Sequence, residues 1–77
     1  MKLPIRNYTA EALTLCVEPL CEEYEIPAGG EAIIVLQDGR PHSLDIHTDR
    51  WVTLWDEGSD PQAVVHVYRD QQSRRGL

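Results

Sequence analysis

Five side chains in this 77-residue sequence are soft enough to hold a transition metal: Cys16, Cys21, His42, His47 and His66. The zinc spacings that persuade are two Cys-x-x-Cys units, or a cysteine pair with a histidine pair. Here the two cysteines stand five positions apart and are never paired again. His42 and His47 also differ by five, so on one strand they point to opposite faces. Asp45, His47 and Asp49 share a face by parity and could ligate a cation, but a polar outer strand face looks the same. Asp45 and His47, with Glu23 and Glu25, are the candidate interaction surface. No metal site and no cofactor is expected.

Nucleophilic chemistry has little to work with. Ser43, Ser59 and Ser73 are the serines, and none sits in a Gly-x-Ser-x-Gly elbow. Cys16 with a histidine would make a nucleophile and base. A strand thiol, however, lacks the helix N-terminus that depresses a cysteine pKa. Glu22, Glu23 and Glu25 could supply paired carboxylates, yet consecutive acids on a short strand more often protect a sheet edge from pairing. Gly29-Gly30 is a turn and not a phosphate loop. Asn7-Tyr8-Thr9 matches a glycosylation acceptor, and without a secretory signal it is read as a turn. The chain is not expected to be an enzyme.

Composition narrows the partners. Residues 1–68 carry four Lys or Arg against twelve Asp or Glu, and the last nine carry three against one, for a net charge of −6. Such an acidic body repels phosphate backbones, so no direct nucleic-acid contact is expected. No apolar run is long enough to span a bilayer, and Met1-Lys2-Leu3-Pro4 opens no signal peptide. The expected location is the cytosol, where Cys16 and Cys21 would be reduced.

Any functional residue must be positioned by short strands. Leu13, Leu15 and Val17 alternate with small or polar neighbours, as do Tyr24 with Ile26 and Leu44 with Ile46. Residues 32–36 and 64–68 are apolar on both faces, as in a central strand covered on both sides. Turn chemistry separates the runs at Asn7-Tyr8-Thr9, Glu18-Pro19-Leu20, Pro27-Ala28-Gly29-Gly30, Asp38-Gly39-Arg40-Pro41 and Glu57-Gly58-Ser59-Asp60-Pro61. The expectation is an all-β fold, a small antiparallel sandwich or barrel of six to seven strands. Residues 1–70 would form a single domain and 71–77 a flexible polar tail.

The run LTLCVEPLCEEYEIPAGGEAIIV, with the later VTLW and the closing VYRD, resembles a group of small uncharacterised bacterial proteins. Their pattern reads roughly Leu-Thr-Leu-Trp-x-Glu-Pro-Trp-Gly-x-x-Tyr-x-Leu-x-Pro-Gly-Glu before an apolar strand. The resemblance implies a compact all-β domain and no assigned activity. Cys16 and Leu20 stand where the group tends to have Trp, and Cys21 where it tends to have Gly, which weakens any cysteine chemistry.

Trp51 and Trp55 are the largest pieces this chain can bury, and it has no Phe to take their place. On a strand they share a face with Thr53, opposite Val52 and Leu54. If His42–Thr48 and Arg50–Trp55 form a hairpin, loop length decides their fate. A two- or four-residue loop sets the tryptophans beside Leu44 and Ile46. A three-residue loop sets Val52 there and turns the tryptophans out. The usual three-residue loop wants Gly at its left-handed position, and Thr48-Asp49-Arg50 has none. The expected core is therefore Leu13, Leu15, Val17, Tyr24, Ile26, Ile33, Val35, Leu44, Ile46, Trp51, Trp55, Val65 and Val67. The function expected is non-catalytic: protein binding or self-association. A metal- or small-ligand-binding domain, and an acidic or phage-type antagonist that mimics nucleic-acid charge, are the alternatives.

Overall fold

The computed structural model describes residues 1–58 and 62–70, so the expected tail at 71–77 lies outside the described residues. The described chain has no helix and seven strands: β1 (Lys2–Arg6), β2 (Leu13–Glu18), β3 (Glu22–Ile26), β4 (Glu31–Val35), β5 (His42–His47), β6 (Trp51–Asp56) and β7 (Val64–Tyr68). They form two sheets, one of three strands in the order β1-β4-β7 and one of four in the order β3-β2-β6-β5. Turn residues break the runs where the backbone must reverse. Gly29 sits at φ +76°, a region costly for any residue with a Cβ. At Gly30 a Cβ would fall 2.7 Å from the Tyr68 carbonyl oxygen, so the close approach of β7 depends on glycine there.

The sheets are not purely antiparallel as expected. β2–β3 and β5–β6 are antiparallel hairpins, but they join along β2 and β6, which run parallel. The physical reason is connectivity. The chain leaves the first hairpin, crosses to the other sheet as β4, and returns to lay the second strand of one hairpin beside the first strand of the other.

Both sheets press one face into a shared core. Leu15, Val17, Ile26, Val52 and Leu54 come from the four-stranded sheet and Ala32 and Ile34 from β4, closed by Leu36 and Ala63. Leu3, Ile5, Leu13, Leu20, Tyr24 and Val65 pack around them, partly buried. Fully burying one such aliphatic side chain stabilises the fold by roughly 1.5–3 kcal/mol.

Several residues expected in this core are elsewhere. β5 is an edge strand whose substantial contacts are with β6 alone. Its inward residues therefore have no opposing sheet, and Leu44 is 42% and Ile46 85% exposed. β7 is likewise an edge rather than a central strand, which leaves the inward Val67 exposed, while Val64, paired with the outward Val35, faces solvent. β4 is central, but Ile33 and Val35 alternate with the inward Ala32 and Ile34 and so take the outer face. Ile33 is buried there between its strand partners Pro4 and His66, and Val35 is half-buried.

Two buried polar groups hold the loops. Asn7 donates from Nδ2 toward the carbonyls of Glu11 (2.8 Å), Ile26 (3.0 Å) and Pro27 (3.2 Å). Its Oδ1 accepts from the Thr9 amide (3.0 Å) and hydroxyl (2.6 Å). The Asn-x-Thr pattern is thus a turn with a structural duty, and its amide nitrogen is enclosed. At the end of β6, Asp56 points inward and is paired with the Arg40 guanidinium. It also accepts from the Gln62 amide at 3.0 Å and the Gly58 amide at 3.5 Å. Gly58 lies directly beneath that guanidinium, and a Cβ there would push against the Arg40 side chain.

Candidate functional site on the outer face of the four-stranded sheet

The β5–β6 register decides which side chains face out. His47 pairs with Trp51, Ile46 with Val52 and Leu44 with Leu54, so Thr48-Asp49-Arg50 is a three-residue turn. Arg50 takes the left-handed position at φ 57° without being glycine. That conformation costs a residue with a Cβ roughly 1–2 kcal/mol, and two contacts tie Arg50 to neighbouring segments of the chain. The Arg50 carbonyl accepts the Thr14 amide at 2.9 Å. The Arg50 guanidinium pairs with Glu11, whose own backbone is held by Asn7. The absence of Gly favours an even loop by local propensity; the loop instead uses an anchored Arg.

Trp51 and Trp55 consequently face solvent, 45% and 40% exposed, and are not core residues. Strand pairing sets them in the middle of an ordered face. One row across the sheet reads Glu25, Thr14, Trp51, His47; the next reads Glu23, Cys16, Thr53, Asp45; the third reads Glu18, Trp55, Ser43. The small residues between the indoles are shaded by them, so Cys16 and Thr53 are buried although they lie on the outer side. All four residues of the candidate surface stand here: Glu23 and Glu25 on one flank, Asp45 and His47 on the other.

The aromatic side chains make contacts with β5. Trp55 donates from Nε1 to Asp45 Oδ2 at 2.9 Å. The His47 and Trp51 rings lie 5.6 Å apart, tilted by 52°. His47 Nε2 also meets the Thr53 hydroxyl at 3.3 Å. On the acidic flank Thr14 donates to Glu25 at 2.9 Å, and below the third row Ser43 donates to Glu57 at 3.1 Å. An indole that already has such partners loses less rotamer entropy when something docks on it.

Cys16 lies beneath Trp51. Burial pushes its thiol pKa up, the Glu23 and Glu18 carboxylates push it further, and the contact with Trp51 opposes them without prevailing. A nucleophilic cysteine needs the opposite shift. Cys21 is exposed at the β2–β3 turn, and both thiols are free. Asp49 belongs to the turn and not to the strand face of Asp45 and His47. It lines a shallow depression of about 310 Å³ with Glu11, Ala12, Thr14 and Arg50. Among the described residues, no three His, Cys, Asp or Glu side chains gather as a metal would require.

Trp51 and Trp55 are the residues of this face that alternation and loop chemistry place on the wrong side. The signal available was the parity rule itself, which needed only the loop length. Comparisons with family models, curated proteins and solved structures return no match to this chain.

Proposed function

We propose that this chain is a non-catalytic protein-binding β-domain that works through the outer face of its four-stranded sheet, and that its partner presents basic side chains. The observation that carries the reading is the placement of Trp51 and Trp55, half exposed and held by β5 neighbours, in a domain whose core lacks any residue as large. Exposed Trp is strongly enriched among residues that dominate binding energy. The charge of the face selects the partner. Glu18, Glu23, Glu25 and Asp45 stand around the indoles within a chain of net charge −6. Indole faces attract Lys and Arg, by about 0.5–2 kcal/mol each, and the carboxylates add long-range steering.

The test compares wild type with the W51A/W55A double variant, both verified as folded, immobilised and exposed to an extract of the cells that make the protein. The expected result is a partner retained by wild type, lost from the double variant, and released near 0.5 M salt, where the screening length falls to roughly 4 Å. A partner held equally by both proteins moves the contact surface elsewhere.

A further inference from the structure

The four-stranded sheet ends in two edges of opposite character. β3 carries Glu22, Glu23 and Glu25, three carboxylates in five residues, which is how sheet edges are kept from pairing. β5 has no such guard. Its one acid, Asp45, is occupied by Trp55, and on its inward side Leu44 is half exposed and Ile46 bare. The segment from Arg40 to Arg50 has two Arg and two Asp, so it is neutral within an acidic chain. In the other sheet, β1 is interrupted by Pro4 and carries Lys2 and Arg6, while β7 runs close to β3. Among the described strands, β5 is the edge open to another strand.

The geometry points to a second copy of this chain as the occupant, with β5 pairing antiparallel to β5 of the copy about a two-fold axis. The backbone pattern sets which groups are free. Pro41 accepts from the Glu57 amide on the β6 side. Antiparallel strands alternate, so Ser43, Asp45 and His47 also turn their backbone groups to β6, and His42, Leu44 and Ile46 turn theirs outward.

A two-fold axis normal to the sheet keeps the inward faces of both copies on one side, which leaves a choice among few registers. Setting Asp45 opposite Asp45 of the copy brings like charges to the closest strand separation and is disfavoured. Setting Ile46 opposite Ile46 pushes Leu44 against the turn residue Thr48. Setting Leu44 opposite Leu44 satisfies His42, Leu44 and Ile46 together, places Ser43 beside Asp45 of the copy, and packs the half-exposed leucines on each other. This register uses the whole strand. The result is one continuous sheet spanning both copies, with the two tryptophan faces on the same side.

A single short edge gives a small interface, so the dimer dissociates at low concentration. Sedimentation equilibrium over a wide concentration range reads the association, with circular dichroism as the check on folding. Wild type is expected to dimerise as concentration rises, and Ile46→Lys to stay monomeric with an unchanged spectrum. The register is read by cross-linking on a Cys21→Ser background under a mild thiol oxidant. Leu44→Cys is expected to give a covalent dimer, because directly opposed strand residues have the Cα separation a disulfide needs. Asp45→Cys is expected to give none. Wild type that remains monomeric at every concentration overturns the inference. So does a dimer that survives Ile46→Lys, or cross-linking through Asp45→Cys in place of Leu44→Cys. A dimer lost in W51A/W55A but kept in Ile46→Lys overturns it too, by assigning self-association to the tryptophan face.

Discussion

Ile46 and Val52 face each other directly across the β5–β6 hairpin, yet 85% of Ile46 is exposed and 8% of Val52. They share a side of the sheet, and what separates them is where the opposing sheet ends. Stability should follow cover and not hydrophobicity. Leu54→Ala, in the covered part of the same face, is expected to cost about 2–5 kcal/mol. Ile46→Ala is expected to stay within about 0.5 kcal/mol of wild type. Urea denaturation midpoints of the two variants check this.

Asn7 is expected to matter strongly for folding. Its side chain spans the first loop and the β3–β4 turn, donating to three carbonyls and accepting from Thr9. Each buried group orphaned by its loss costs about 1–3 kcal/mol. Asn7→Ala should therefore lose on the order of 3 kcal/mol, and Asn7→Asp, which swaps the donor for a charged acceptor, should not fold at neutral pH. Tyr8→Ala next door, at an exposed side chain, should be neutral within about 0.5 kcal/mol. Thermal melts distinguish these outcomes.

Asp56 ties stability to acid pH. Burial alone would raise its pKa, but the Arg40 guanidinium and the amides of Gln62 and Gly58 outweigh burial and hold it below its ordinary value of 3.8. A carboxyl depressed on folding contributes stability that is complete above the unfolded value. That contribution is lost as pH falls through the folded one. Wild type should thus exceed Asp56→Asn in stability at neutral pH, and the gap should begin to narrow below about pH 4 and close only below the depressed folded value. Urea midpoints measured for both proteins across that range give the difference directly.

The two thiols should react very unequally. Cys21 is exposed, while Cys16 is buried under Trp51 with its pKa raised by burial and by Glu23. Iodoacetamide is expected to label Cys21 in the native protein and Cys16 only after unfolding. Trp51→Ala should uncover Cys16 and make it react in the folded state. Equal native labelling of both thiols would mean that the indole does not lie over the β2 strand. Mass spectrometry resolves the two sites.

The strands themselves were legible because the period of two and the intervening turn residues are local properties. Leu15, Val17 and Ile26 read as buried by alternation, and they are. What alternation cannot carry is the extent of the opposing sheet. Leu44 and Ile46 show the cleanest period in the chain, yet they overhang, because three strands cannot cover four. The orientation of Trp51 and Trp55 hung on one residue of loop length. Without Gly, local propensity pointed to the even loop, and the tertiary anchors of Arg50, the Thr14 amide and Glu11, made the odd one affordable. Asn7 was visible as a turn residue, but its enclosure by a loop and a turn 20 positions away in sequence was not.

The central claim is that Trp51 and Trp55 form an outward, acid-rimmed face, and collisional quenching of their fluorescence tests it most directly. Neutral acrylamide, anionic iodide and cationic caesium are compared on the native protein and on free N-acetyltryptophanamide at low ionic strength. Exposure of both indoles predicts efficient acrylamide quenching. The carboxylates of Glu18, Glu23, Glu25 and Asp45 further predict that caesium gains and iodide loses efficiency relative to the free indole, a bias that added salt should erase. Weak quenching by all three would return the tryptophans to the core. Efficient quenching with iodide favoured over caesium would contradict the acidic face and the basic partner inferred from it.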